Sequence, residues 1–307
     1  MSHKTYKHVI VFGVDGAGKF FKDAVTPNFD RIFANGSVTY RAYASKPSIS
    51  AECWGSMLTG VSPKVHGLTN DIVSSQRYPL DSKFPSLFKR IHEVYPDYVL
   101  GSYCDWDPIT YGIVETNLPV DTDTCGDAKL VPIICDYIRE KKPNFLFIQS
   151  DSVDGAGHGH GYGSKRHLEQ IHTVDGYIDQ VYKAAADAGI ADDTLFVVIA
   201  DHGGTYNGED QGAGHGGWTE NEKLVTFAVT GQNVIKGEMG DANVRDLASI
   251  VLYALGIDLP AFDIEGWTSQ IPANLFAEND IAAYRDISFE TCADPRVSNI
   301  PHTSEKI

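Results

Sequence analysis

The sequence lacks a hydrophobic run long enough to cross a bilayer, and it has few cysteines. The apolar stretch near the N-terminus, His8–Val14, is much shorter than the roughly 20 residues of a transmembrane helix, and no signal-peptide cleavage pattern accompanies it. The five cysteines, at positions 53, 104, 125, 135 and 292, include no Cys-x-x-Cys pair and are odd in number. This usage is typical of a reduced protein, so we expect a cytoplasmic location, no disulfide and no membrane attachment.

Basic residues are also scarce, because 25 Lys and Arg stand against 41 Asp and Glu and give a net charge of −16. Such an acidic chain is a poor general binder of a nucleic-acid backbone or an anionic membrane. If the partner is a small phosphorylated substrate, the attraction must come from a local site. Bound cations are the simplest way to create such a site.

What the sequence does contain is a regular alternation of apolar strands and amphipathic helices. Continuous apolar runs predict strands buried on both faces at 8–14, 98–103, 144–149, 194–200 and 224–230. Helical patterns lie between them, at 26–34, 51–58, 85–94, 128–140, 165–188 and 244–255. This order predicts an α/β fold, a three-layer α/β/α sandwich with a mostly parallel central sheet.

The domain organisation follows from the absence of repeats, low-complexity segments and composition breaks. We expect one catalytic domain over residues 1–280 and a C-terminal tail over 281–307. The turn-rich segments 70–84 and 104–126 are predicted to form cap or specificity loops over the site.

Acidic and imidazole side chains follow three of the predicted strands. Asp15 ends the first, Asp154-Gly-Ala-Gly-His158 follows the third, and Asp201-His202 follows the fourth, with His215 further along. Functional groups of such sheets gather at the carboxyl ends of the strands. Asp and His are ligands of zinc and manganese, and two close metal ions commonly serve to polarise a phosphoryl group.

A glycine-rich segment offers a competing interpretation. Gly13–Lys19 follows a strand and matches G-x-x-x-x-G-K, the phosphate-binding loop of nucleotide-binding proteins. That motif continues with Ser or Thr, whose hydroxyl holds magnesium, whereas this sequence continues with Phe20 and Phe21. A nucleotide-binding kinase is therefore the weaker alternative, and Asp15 within the loop fits better as a metal ligand.

Ser50 lies just before an apolar helical run, where a helix N-cap is expected. It could serve as a cap alone. A serine at a helix start also lies in positive potential from the unpaired amides, and a nearby metal ion would lower the pKa of its hydroxyl further.

The segment from Pro47 to Gly60 resembles the nucleophile region of the alkaline phosphatase superfamily. It is most similar to the type I phosphodiesterase/nucleotide pyrophosphatase branch, whose pattern is Pro-Thr-x-Thr-Phe-Pro-Asn-His-Tyr, then three residues and Thr-Gly. Ser50, ten residues before Gly60, stands where the branch has its nucleophilic threonine. Other matches occur in order over roughly residues 8–267: Asp15, Thr26-Pro27-Asn28-Phe29-Asp30, Pro63-Lys64-Val65-His66-Gly67, Asp154-Gly155-Ala156-Gly157-His158, Asp201-His202-Gly203, His215, Asp246-Leu247, Leu252–Leu255, Gly256 and Pro260.

The resemblance implies two divalent metal ions, zinc by preference or manganese, with Ser50 facing and binding the pair. One ion would be held by Asp154, His158 and His215, and the other by Asp15, Asp201 and His202. It implies hydrolysis of a phosphodiester or nucleotide pyrophosphate bond through a phosphoseryl intermediate. The branch places a phosphate-binding Asn five residues after the His of Pro-x-x-His-Gly, where this sequence has Asp71, so Asn70 is the candidate for that role.

Other members of the superfamily remain as alternatives. A phosphomonoesterase or a phosphonate hydrolase would have similar ligands. A sulfatase needs Cys/Ser-x-Pro-x-Arg, and Ser50 is followed by Ala51, Glu52, Cys53 and Trp54. A cofactor-independent phosphoglycerate mutase needs a domain inserted after the nucleophile, and the interval up to Asp154 is too short for it. A non-catalytic binding module would have to bury these carboxylates without a metal, which is costly.

Overall fold

The computed structural model describes residues 6–260 and 266–277. Within these ranges seven strands form one sheet: β1 (His8–Val14), β2 (Ser37–Tyr43), β3 (Leu100–Cys104), β4 (Val120–Asp123), β5 (Phe145–Ser150), β6 (Thr194–Ala200) and β7 (Leu224–Thr230). Their order across the sheet is β2-β7-β6-β1-β5-β3-β4. All neighbours from β6 to β4 are parallel, and only β7 runs against the rest.

Eleven α-helices lie within the described ranges: α1 (Pro27–Ile32), α2 (Ser50–Thr59), α3 (Pro63–His66), α4 (Asn70–Ser75), α5 (Leu87–Val94), α6 (Pro108–Gly112), α7 (Asp127–Lys141), α8 (Ser152–His160), α9 (Lys165–Asp187), α10 (Glu220–Lys223) and α11 (Asp246–Ala254). Helices α1, α7 and α8 pack on α9, whereas α3, α4, α5 and α11 pack on α2. The central strands β1, β5 and β6 are buried along their whole length. The α/β architecture with a mostly parallel central sheet is therefore confirmed.

The sequence prediction found five of the seven strands and missed two. The bounds of β1, β6 and β7 agree with the prediction, and β3 and β5 agree within two residues. The missed strands, β2 and β4, lie at the two edges of the sheet, and both are partly exposed. Edge strands carry alternating or polar sequences because water covers one side of them. Their sequences therefore lack the continuous apolar run that identified the others.

The two segments predicted as loops contain regular structure. Helix α4 lies within 70–84, whereas α6 and β4 lie within 104–126. Their role as a cap stays a prediction, and the predicted tail 281–307 lies outside the described residues. Cys53, Cys104, Cys125 and Cys135 are free thiols. Among the helices in the described part of the chain, none has both the length and the hydrophobicity required of a bilayer span.

A buried carboxylate fixes the start of α1. Asp175 on α9 is fully buried and accepts hydrogen bonds from the backbone N–H of Asn28 (3.1 Å), from its side-chain amide (2.9 Å) and from the N–H of Phe29 (2.7 Å). These are amides that the first turn of a helix cannot satisfy internally. The Thr26-Pro27-Asn28 motif thus packs α1 against α9.

Candidate active site

The carboxyl ends of the parallel strands bring the predicted acidic residues together. Asp15 directly follows β1, Asp201 directly follows β6, and Asp154 lies in the first turn of α8, just after β5. β1 lies between β5 and β6, so the three carboxylates occupy adjacent positions at one edge. β2 runs in the same direction as β1, β5 and β6. The chain that leaves its end at Tyr43 leads to Ser50 at the start of α2.

Each of the three carboxylates has at least one oxygen occupied by protein donors. Asp15 Oδ2 accepts from Trp54 Nε1 and Gln149 Nε2, both at 3.0 Å. Asp201 Oδ1 accepts from the N–H groups of Gly16 (3.0 Å) and His202 (2.7 Å). Asp154 Oδ1 accepts from the Tyr162 hydroxyl at 2.6 Å. Asp15 Oδ1 and Asp201 Oδ2 are buried and accept no hydrogen bond.

The three histidines are oriented in a common way. The Nδ1 atoms of His158, His202 and His215 lie 2.9, 3.0 and 2.9 Å from the carbonyl oxygens of Ala213, Gly203 and Ser48. An Nδ1–H that donates to a carbonyl leaves Nε2 as the coordinating nitrogen, the usual arrangement of metal-binding histidines. The rings of His202 and His215 stack with centroids 3.8 Å apart.

These side chains form two groups whose ligand atoms lie within 4.8 Å of one another. Asp154, His158 and His215 make the first group, as predicted. The second contains Asp15 and His202, and Asp154 reaches it as well. Asp201 Oδ2 is 3.3 Å from His202 Nε2, so the remaining ligand predicted for this ion lies beside the second group. The structure therefore brings all six predicted Asp and His ligands into one place, with Asp154 between the two groups.

Electrostatics favour a bound cation here. Burial, and the neighbouring charges of Asp201 and Asp154, hold the pKa of Asp15 well above its usual range, and burial does the same for Asp201. A carboxylate that is buried without a donor on one oxygen is costly unless a cation or a proton occupies it. The unpartnered Asp15 Oδ1 and Asp201 Oδ2, together with three inward Nε2 atoms, match the mixed oxygen and nitrogen shell that zinc and manganese accept.

The first group binds a proton in the absence of a cation. The hydrogen bond from His158 Nε2 to Asp154 Oδ2 (3.1 Å) raises the pKa of His158 to about 9.

In the second group, burial lowers the pKa of His202 to about 3, because the imidazolium would lose its hydration and lie near His215. His202 is thus neutral and its Nε2 can accept a hydrogen bond or a metal ion.

The hydroxyl of Ser50 faces the second group, which contains Asp15 and His202. Its Oγ lies 3.2 Å from His202 Nε2. The predicted N-cap role is wrong by one position, because Ile49 is the N-cap and Ser50 is the first residue of α2. Asn70 lies close by, and its Oδ1 accepts from the N–H of Ala51 at 2.9 Å. Asn70 therefore binds the first turn of the helix that carries Ser50.

Two further polar residues near the site, Asp151 and His160, lie outside the ligand groups. Asp151 Oδ1 accepts from Gln149 Nε2 at 2.9 Å, so it contacts a neighbour of Asp15. His160 Nδ1 is 2.9 Å from Asp210 Oδ1 in an exposed pair, which leaves His158 as the candidate ligand on this helix. Sequence reasoning missed Trp54, Gln149 and Tyr162. Gln149 could have been noticed as a polar residue at the end of a buried apolar strand.

The glycine-rich segment Gly13–Lys19 does not form a phosphate-binding loop. It leads into a short 3-10 turn, Phe20–Lys22, in which both phenylalanines are buried. The N–H of Gly16 binds Asp201, and that of Gly18 donates to the carbonyl of His202 at 2.8 Å. A Cβ on Gly16 would lie 2.4 Å from Asp154 Oδ1, and its φ is +66°. The glycines therefore allow the ligand segments to approach one another, and the kinase alternative has no structural basis.

Comparison with known proteins agrees with this site. The family described as type I phosphodiesterase / nucleotide pyrophosphatase matches residues 9–86 and 105–247. By sequence, no curated protein matches the chain.

Among solved structures, murine ectonucleotide pyrophosphatase/phosphodiesterase 5 superposes with a TM-score of 0.67 at 16% identity, over 83% of this chain and 97% of the other. The human protein of the same name gives a TM-score of 0.68 at 14% identity, over 86% and 99%. The lipoteichoic acid synthase LtaP of Listeria monocytogenes gives 0.65 at 13% identity, over 90% and 77%.

These structural similarities show an alkaline phosphatase-like fold, whereas the family match covers most of the sequence, including all six Asp and His ligands and Ser50. The chain therefore belongs to the type I phosphodiesterase/nucleotide pyrophosphatase family, a family of hydrolases within the alkaline phosphatase superfamily.

Proposed function

We propose that this chain hydrolyses a phosphodiester or nucleotide pyrophosphate bond through a covalent phosphoseryl intermediate on Ser50. The observation that carries the proposal is the position of the Ser50 Oγ, 3.2 Å from His202 Nε2, because that nitrogen also lies 3.4 and 3.3 Å from the unpartnered oxygens of Asp15 and Asp201. Asp154, His158 and His215 would hold one divalent ion, and Asp15, Asp201 and His202 the other.

Two divalent ions, zinc by preference and manganese as the alternative, would supply charge neutralisation for the phosphoryl oxygens and lower the pKa of the Ser50 hydroxyl. The remaining tasks fall to the chain. Ser50 Oγ lies at the N-terminal end of α2, where the helix dipole favours the alkoxide. The Ser50 hydroxyl gives its proton to solvent, Oγ attacks phosphorus, and the bond to the leaving oxygen breaks as the leaving group departs and takes a proton from water.

The second half of the reaction regenerates Ser50. Water attacks the phosphoserine, the Oγ–P bond breaks, and the phosphorylated product is released. Two in-line displacements give net retention of configuration at phosphorus. Asn70 holds the N–H of Ala51, and so it positions the first turn of α2 relative to the site. Its Nδ2 is our candidate donor to a phosphoryl oxygen.

A small nucleotide is the proposed substrate class. An inactive variant of the murine relative was solved in complex with AMP, which supports a nucleotide for this chain as well. The net charge of −16 disfavours a nucleic-acid polymer and an anionic membrane as partners. A cytoplasmic location stays a prediction from the cysteine usage.

Parallel assays on bis-p-nitrophenyl phosphate, p-nitrophenyl phosphate and a phosphonate test the proposal. We expect the diester to be the best substrate. Ser50→Ala should abolish turnover and leave about two metal ions per chain. Ser56→Ala is the matched control, because its hydroxyl lies on the same helix and donates to the carbonyl of Glu52 at 2.7 Å.

Two outcomes would contradict the proposal. Retained turnover in Ser50→Ala would remove Ser50 from the mechanism. Activity on the phosphonate alone, with none on either ester, would show that the chain is a phosphonate hydrolase of the same superfamily.

A further inference from the structure

The second ligand group contains a carboxylate whose orientation depends on two residues that match no residue of the family's motifs. Asp15 Oδ2 accepts one hydrogen bond from the indole Nε1 of Trp54 and one from the amide Nε2 of Gln149, each at 3.0 Å. Both donors are fully buried. With Oδ2 occupied twice, Oδ1 is left buried and unpartnered, 3.4 Å from His202 Nε2.

The amide of Gln149 can have only one orientation. Its Oε1 accepts from the backbone N–H of Trp106 at 2.8 Å, so the nitrogen must face the site. That nitrogen uses one hydrogen for Asp15 and the other for Asp151 Oδ1 at 2.9 Å. A flipped amide would place an oxygen against two carboxylates and leave the Trp106 N–H without its acceptor.

The indole of Trp54 is held just as firmly. Its ring meets Phe147 of β5 edge-on, with centroids 5.7 Å apart. It also packs over Gly13 of β1, where a Cβ would come within 2.6 Å of the ring. Glycine at this position lets the ring lie against the strand that ends at Asp15.

Trp54 also connects the metal ligand to the nucleophile. Ser50 and Trp54 are four residues apart on α2 and therefore lie on the same face of the helix. One helix thus carries the hydroxyl that faces the site and the N–H that fixes Asp15. Any shift of α2 relative to β1 would move both contacts together.

We propose that Trp54 and Gln149 are positioning residues that present only Asp15 Oδ1 to the metal ion beside Ser50. They thereby set the distance between that ion and the nucleophile. The inference rests on the two-metal site of the proposed function. Without the two donors, Asp15 would be free to rotate or to bind with both oxygens. Hydrogen bonds to metal ligands are worth about 10- to 100-fold in metal affinity.

The variant Trp54→Phe tests this, because it keeps an aromatic ring against Gly13 and Phe147 and removes only the N–H and part of the indole. We expect a dissociation constant for one of the two zinc ions that is at least about tenfold higher, measured by competition with a chelator. The ligand-field absorption of Co²⁺ at that site should also change.

The matched control is Trp267→Phe. Trp267 is equally buried, but its ring packs against Gly60 and below the guanidinium of Arg90. Zinc affinity and the Co²⁺ spectrum should therefore stay as in the unmodified protein. Gln149→Met is the second variant. It removes the amide donor to Asp15 and keeps a side chain of similar volume. It tests the proposal independently if Trp54→Phe does not fold.

The inference is overturned if both variants bind two zinc ions within twofold of the unmodified affinities and leave the Co²⁺ spectrum unchanged. Its failure differs from failure of the proposed function. A protein that binds two metal ions and cleaves none of the phosphorus substrates would refute the function, while the affinities of the variants would still decide the role of Trp54 and Gln149.

Discussion

Asp154 is the carboxylate whose removal should disturb the site most, because it lies in both ligand groups. We predict that Asp154→Asn weakens the binding of both ions, with the greater loss at the ion held with His158 and His215. The substitution keeps the size of the side chain and one acceptor oxygen for the Tyr162 hydroxyl, so the fold should persist. The change is therefore mainly electrostatic.

The magnitude follows from Coulomb's law at a typical ion-pair separation. One unit of carboxylate charge about 4 Å from one unit of ionic charge contributes about 4 kcal/mol at an effective dielectric constant of about 20. That energy corresponds to roughly a thousandfold in the dissociation constant. We expect about this loss at the first ion and at least about tenfold at the second, where Asp15 and Asp201 remain.

Zinc titration of the metal-free protein in a chelator buffer would measure both constants. His158→Ala should weaken only the first ion, because His158 belongs to one group. His160→Ala, on the same helix but paired with Asp210, should weaken neither. If Asp154→Asn leaves the second ion at its original affinity, the reasoning that Asp154 acts on both ions is wrong.

Substitutions at three further residues test other contacts. Tyr162→Phe removes the donor to Asp154 and should weaken the first ion by about 10- to 100-fold in the same titration, and an unchanged constant would contradict this. Asp175→Ala removes three hydrogen bonds to a charged acceptor and should lower the free energy of unfolding, measured by urea denaturation, by about 3 to 5 kcal/mol. Asp175→Asn keeps one acceptor oxygen and should lower it by less. His167 is buried, which lowers its pKa to about 4, whereas its unfolded value is about 6.5. At this residue the unfolded chain thus binds more protons between these values, and His167 contributes a stability loss of about 3 kcal/mol as the pH drops from about 6.5 to about 4. His167→Gln in EDTA should make that slope shallower by this contribution, and an equal slope would disprove the assignment.

The ligand residues could be predicted from the sequence because their positions depend on local features. A continuous apolar run identifies a buried parallel strand, and the residue after it lies at the carboxyl edge of the sheet. Asp15 and Asp201 follow β1 and β6 directly, and Asp154 begins the helix after β5. Ser50 was identified because a helical pattern starts beside it, although the cap itself is Ile49. The order of the motifs then supplied the family.

The sequence by itself determined which side chains meet at one edge of the sheet and to which family of hydrolases the chain belongs. Only the tertiary structure decided which oxygens of Asp15 and Asp201 are free, that Asp154 lies between both groups, and that Trp54 and Gln149 bind Asp15. The physical reason is that a hydrogen bond between β1, β5 and α2 depends on strand order, register and side-chain rotamer. Those quantities arise from packing between distant segments, and no local pattern of residues encodes them.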